Sequence, residues 1–97
     1  MRSIKRYVIE DEKCEIHMMG EYVGVCWHIY LDEDEGGLVR DGAPRIDFPI
    51  VREKDGKVWT RDDLSIQGGI TADVALLVAA ELALAISYIH ARGWESL

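Results

Sequence analysis

Cys14-Glu15-Ile16-His17-Met18-Met19-Gly20-Glu21-Tyr22-Val23-Gly24-Val25-Cys26-Trp27-His28-Ile29-Tyr30-Leu31 is the stretch that decides the fold. Residues 14–19 and 22–31 are both rich in side chains that suit a pleated surface, and Gly20-Glu21 sits between them. Gly at the first loop position is what a two-residue type II′ turn requires. That turn predicts a register in which facing positions sum to 41: Met18 with Val23, Ile16 with Val25, Cys14 with Trp27. All six are apolar, so this register gathers them on one face. The other face then collects Met19, Tyr22, His17, Gly24, Glu15 and Cys26. Tyr22, Tyr30, Met19 and Cys26 leave that face partly apolar, which implies a cover over part of it. The register also separates the two thiols, Cys14 toward the core and Cys26 away from it, and predicts two structural, unpaired cysteines.

On the N-terminal side, Ile4 to Glu10 reads as a first strand, followed by a polar turn at Glu10-Asp11-Glu12-Lys13. On the C-terminal side, residues 32–45 read as a loop with a small turn at Asp41-Gly42. Residues 46–54 and 57–61 form a second hairpin around Asp55-Gly56, a type I′ signal. Ile46, Phe48 and Ile50 alternate there, and Pro49 marks an edge or a bulge. Trp59 on this hairpin reads as core or contact surface. Asp62 to Gly69 is a connection, with a short strand suggested at Leu64-Ser65-Ile66. Residues 72–92 are dominated by Ala and Leu, strong helix formers. Thr71 suits the N-cap, Asp73 the first turn, Gly93 the left-handed stop, and Trp94 a contact back to Ile89. The expected architecture is α+β: an antiparallel sheet of four to five strands built from two hairpins, with one long C-terminal helix on one face. Residues 1–97 form a single domain.

The helix lacks an ordinary solvent face. At 100° per residue, Leu77, Leu84, Tyr88, Val74, Val78, Ile89 and Leu82 fall in one wide arc that should pack on the sheet. The reverse side carries Ala75, Leu76, Ala79, Ala80, Ala83, Ser87 and His90. Either sheet loops cover it within the monomer, or it is an oligomer or partner face. Glu81 is the only charge between Asp73 and Arg92, and it projects into the large-residue arc. It is expected at an edge, or matched by an arginine or tyrosine. Acid–base work by a carboxylate in such an arc has no locatable companion.

Charge is segregated. The chain of 97 residues has net charge −7 and pI about 4.8. Residues 10–35 alone hold nine acids against one base, Lys13, a net −8. The predicted register brings Glu10, Asp11 and Glu12 to the same end of the sheet as Asp32, Glu33, Asp34 and Glu35. Such a cluster is either a solvated rim or a surface that attracts a basic partner. Asp32-x-Asp34-x-Gly36-Gly37 superficially matches a calcium loop, but its twelfth position is Ala43 and its flanks are not helices. Gly68-Gly69-Ile70-Thr71 lacks the Lys of a phosphate loop. His17, His28 and His90 are scattered, and no nucleophile–base arrangement is supported. The reading is therefore no catalytic residue, no metal and no cofactor. The acid excess works against direct nucleic-acid binding.

A hydrophobic fraction of 48% argues against disorder. The longest charge-free apolar run, Val74 to Ala80, is seven residues, whereas a bilayer span needs about 20. Met1–Arg6 is not followed by an apolar stretch long enough for a signal peptide, so a cytoplasmic chain with reduced thiols is expected.

In architecture and charge the whole chain resembles the small phage-encoded inhibitors of the anti-CRISPR kind, and also bacterial toxin-immunity proteins. The resemblance implies a viral, stoichiometric inhibitor in the host-cell cytoplasm. It would block a basic, nucleic-acid-binding surface of a partner protein through Glu10, Asp11, Glu12, Asp32, Glu33, Asp34 and Glu35. The alternative is a homo-oligomeric accessory or immunity protein that makes contact through the alanine-rich helix face.

Overall fold

A computed structural model describes residues 3–61 and 69–95. The suggested strand at Leu64-Ser65-Ile66 and the side chain of Trp59 lie outside the described residues. The fold is α+β. Strands β1 (Lys5–Ile9), β2 (Cys14–Met18), β3 (Gly24–Asp32) and β4 (Gly37–Asp47) form an antiparallel sheet in that order. Strands β5 (Ile50–Lys54) and β6 (Lys57–Arg61) pair as a separate two-stranded sheet. Helix α1 (Ala72–Arg92) packs on the larger sheet.

Three expectations hold at the level of local chemistry. The β5–β6 turn has both Asp55 and Gly56 at positive φ, as a type I′ turn demands. Thr71 caps α1 by accepting from the Val74 N–H. Gly93 stops it in the left-handed conformation, with the Gly93 and Trp94 amides donating to His90 and Ile89.

Two expectations fail. Residues 37–45, expected within a loop, belong to strand β4, which also takes Ile46 and Asp47 from the expected second hairpin and pairs them with Val25 and Gly24 of β3. Their glycines, Pro44 and charges obscure the alternation, yet most of the strand pairs with β3. The presumed turn at Asp41-Gly42 is instead a bulge. Cys26 faces Arg45 while His28 faces Asp41, so Gly42, Ala43 and Pro44 all lie opposite Trp27. Gly42 takes φ 71° there, and Pro44 sits where the ladder is already interrupted.

The second failure is the β2–β3 register. Facing positions sum to 42: Cys14 with His28, Ile16 with Cys26, Met18 with Gly24. Gly20 does not adopt the positive φ of a type II′ turn. The loop is Gly20-Glu21-Tyr22, closed by the Met19 N–H donating to Val23 O at 2.8 Å. One residue of slip turns every β2 side chain to the other face. Glu15, His17 and Met19 therefore share the helix side with Val23, Val25 and Trp27. Cys14, Ile16 and Met18 share the opposite side with Cys26. The thiols lie on one face, not two, and both are free. Burial raises the pKa of both, that of Cys26 to about 12, so neither is a ready nucleophile.

Both faces of the sheet are covered. Met19, Val23, Val25 and Trp27 pack with Val78, Ala85 and Ile89 of α1. Ile9, Ile16, Met18 and Cys26 pack with Val51 and Val58 of the small hairpin. The set of side chains for which the sequence called for a cover is split by the register: Met19 and Tyr22 pack beneath α1, Cys26 packs against β5–β6, and Tyr30 stays exposed.

Gly20 is required by space: a Cβ there would lie 2.5 Å from the Glu81 carboxyl carbon. Gly37 has ordinary φ and nothing near it. Gly20→Ala should cost about 2 kcal/mol of stability, while Gly37→Ala should stay within about 0.5 kcal/mol. Urea unfolding midpoints compare the two, and equal midpoints would contradict this account of the turn.

Candidate functional site

Glu81 lies on the buried face of α1 and is 2% exposed. Its Oε1 accepts the backbone N–H groups of Tyr22 at 2.9 Å and Val23 at 3.0 Å. The expected arginine or tyrosine match is thus replaced by two amides of the β2–β3 loop. These contacts assign Glu81 a fastening role between helix and sheet.

A second buried carboxylate was not legible in the sequence. Glu15 is 4% exposed and His17 is 4% exposed, both beneath α1. Glu15 accepts from Arg6 Nε at 2.9 Å, from Arg40 Nε at 2.9 Å and Nη2 at 2.7 Å, and from His17 at 2.6 Å. His17 Nδ1 lies 2.7 Å from the Tyr88 hydroxyl. Burial drives the His17 pKa down, aided by the two arginines, against the pull of Glu15. The neutral ring then donates its Nε2–H to Glu15 and accepts the Tyr88 O–H at Nδ1. Arg40 stacks 4.1 Å over Trp27, Trp27 meets Trp94 edge-on at 4.8 Å, and Arg92 lies 3.6 Å over Tyr88. The cluster ties β1, β2, β3, β4 and α1 together.

A carboxylate, an imidazole and a hydroxyl in line resemble the parts of a proton relay. Here both Glu15 oxygens are already taken by guanidinium and imidazole donors, and both ring nitrogens of His17 are engaged. The nearby clefts are lined elsewhere. One, of about 560 Å³, runs past Ser3, Lys5, Tyr7, Tyr22, Val51 and Arg52. Another, of about 320 Å³, runs past Ser3, Met19, Gly20, Glu21, Leu77 and Glu81. The arrangement suits a structural clasp. Among the described residues, no three His, Cys, Asp or Glu side chains converge as a metal would need.

The acidic runs fall at one end of the larger sheet, on the β1–β2 and β3–β4 turns. They are staggered, not level. The pairing of β2 with β3 ends at His28, and the Ile29 N–H still donates to Lys13 O at 3.0 Å, so residues 30–32 continue with β4 alone. This two-stranded extension projects by about 10 Å at 3.3 Å per residue. Glu33, Asp34 and Glu35 occupy its tip, all exposed. Asp32 is half-buried, and its carboxylate caps the turn by accepting the Asp34 and Glu35 amides. Glu10, Asp11 and Glu12 are exposed on the set-back turn. The extension also exposes apolar surface: Leu31 (66%) pairs with Leu38 (43%) on one face, and Tyr30 (48%) is exposed on the other. Sequence reading placed the acids but missed these apolar neighbours, because it read their partner strand as loop.

The candidate oligomer face is open. Ala75, Leu76, Ala79, Ala80, Ala83, Ser87 and His90 are all exposed, so sheet loops do not cover them. The buried line of α1 runs through Val78, Glu81, Ala85 and Ile89. Leu77 and Leu84, expected on the sheet, are each 39% exposed at its rim. The helix is rotated because Glu81 points at the loop and Ala85, fully buried, sits in the contact. By length and composition α1 could cross a membrane, with mean hydropathy 1.9. Glu81 divides the run that the sequence showed as seven residues.

No protein-family model, curated protein or solved structure matches this chain.

Burial raises the Glu15 pKa, but hydrogen bonds from Arg40, Arg6 and His17 outweigh it and hold the group at about 2, against an ordinary 4.5. A folded-state pKa below the unfolded value gives stability that is complete above pH 4.5 and lost as pH falls toward 2. Glu15→Ala should lose about 2 kcal/mol at neutral pH, by leaving the buried His17 N–H without its acceptor and the half-buried Arg40 without its counter-charge. Its stability curve should also flatten in that acid window. Thermal unfolding across pH reads both; a variant as acid-sensitive as the parent would refute the assignment.

Proposed function

We propose that this chain is a non-catalytic binding protein, a stoichiometric inhibitor that docks on a basic, nucleic-acid-binding surface of a partner protein through the projecting β3–β4 hairpin. One observation carries the reading: the extension combines three exposed acids at its tip with the exposed Leu31–Leu38 pair. Carboxylates steer the encounter over long range, and desolvated apolar side chains supply most of the holding energy. An acid run alone would fit a solvated rim equally well. Solvated rims have no need of paired leucines.

The set-back turn at Glu10, Asp11 and Glu12 adds negative potential behind the tip. The Glu15 clasp and the β4 bulge make the base of the hairpin rigid, which lowers the ordering cost on binding. This division of labour supports an inhibitor of the kind that the chain resembles in charge and architecture. A partner surface built for phosphates would meet carboxylates at the tip.

A partner captured by the immobilised protein from host lysate provides the test. Glu33→Gln, Asp34→Asn and Glu35→Gln together, with Asp32 kept as the turn cap, should weaken its binding at least tenfold and flatten the salt dependence. Leu31→Ser should weaken it without altering the salt slope. Unchanged affinity and salt dependence in both variants would refute the reading.

A further inference from the structure

The exposed side of α1 stands apart from the projecting β3–β4 hairpin. We infer that it pairs with a second copy of this chain as an antiparallel helix dimer. Leu76 is 72% exposed and Ile86 48% exposed. Between Asp73 and Arg92 the outward surface of the helix carries no charge, over a length of about 27 Å at 1.5 Å per residue. An apolar strip of this kind on a soluble domain marks a contact surface.

The pattern of residues selects the occupant. Outermost positions are Leu76, Ala80, Ala83 and Ser87, spaced by four, three and four. Set two such helices antiparallel about a twofold axis between Ala80 and Ala83. Ala80 then faces Ala83 of the second copy, so the helices approach closely at the crossing. Leu76 faces Ser87 of the second copy, large against small. Asp73 faces His90 of the second copy, a carboxylate against a ring that can donate an N–H. The helix dipoles run in opposite directions. Parallel pairing would instead set Leu76 on Leu76, Asp73 on Asp73, and like dipoles side by side. The antiparallel match is self-complementary, as a twofold interface must be.

A lipid surface fits less well. Interfacial helices carry Lys and Arg along their borders. Here Arg92 is held against the Tyr88 ring and carbonyl, Asp73 is acidic, and the chain has net charge −7. A helix pair of this length buries on the order of 1,000 Å² in all, at the weak end of specific interfaces. A dimer that dissociates in the micromolar range follows.

Sedimentation across micromolar concentrations should show monomer passing to dimer. Ala80→Glu and, separately, Ala83→Glu should weaken self-association at least tenfold with unchanged circular dichroism, since both sites are exposed. Under mild oxidation, a mixture of Ala80→Cys and Ala83→Cys chains should cross-link faster than the parent or either variant alone. A strict monomer would overturn the inference, whether inert or floating with vesicles of anionic or neutral lipid. A dimer that both Glu variants leave intact would also overturn it.

Discussion

The hydrogen bonds from the Tyr22 and Val23 amides to the Glu81 carboxylate hold the β2–β3 loop in a three-residue form. Gly20 leaves the room that the carboxylate occupies. Loop length sets register, and register sets which side chains of β2 lie beneath the helix. A two-residue turn would send Ile16 and Met18 under α1 and leave Glu15 and His17 on the far side. The clasp among Glu15, His17, Arg6, Arg40 and Tyr88 exists only in the observed register. A single buried acid on the helix thus determines the composition of both layers of the core.

Placing that network inside the protein is costly in isolation, because a carboxylate and two guanidinium groups lose water. The arrangement offsets the cost by sharing. Arg6 and Arg40 keep part of their surface in solvent, at 60% and 34% side-chain exposure. Arg40 gains further from the Trp27 face, and His17 stays neutral between Glu15 and Tyr88. Such a network specifies one packing among several that the apolar residues alone would permit. It also anchors the base of the β3–β4 hairpin, so the projecting acids and leucines stand on a rigid support.

The molecule presents two chemically distinct surfaces at separate places. The hairpin tip is acidic with an apolar flank. The outer side of α1 is apolar and uncharged. If both are used, dimerisation through the helix leaves each hairpin free and doubles the acidic ends. The two surfaces differ in their salt response: screening weakens attraction at the tip and leaves apolar helix pairing largely untouched.

Much of the fold was legible in local chemistry. Asp55-Gly56 specified its turn through positive φ, while Thr71 and Gly93 bounded the helix through their caps. The uncharged side of α1 followed from helical periodicity. The acidic ends followed from hairpin connectivity, which a one-residue slip does not alter. Residues 37–45 were not legible as strand, because their pairing with β3 overrides glycines and a proline that locally favour loop. Register was not legible either. Both faces of the sheet are buried, so apolar alternation could not choose between them. The choice was made by a carboxylate 58 residues from Val23 in sequence, whose reach to the loop exists only once helix and sheet have packed.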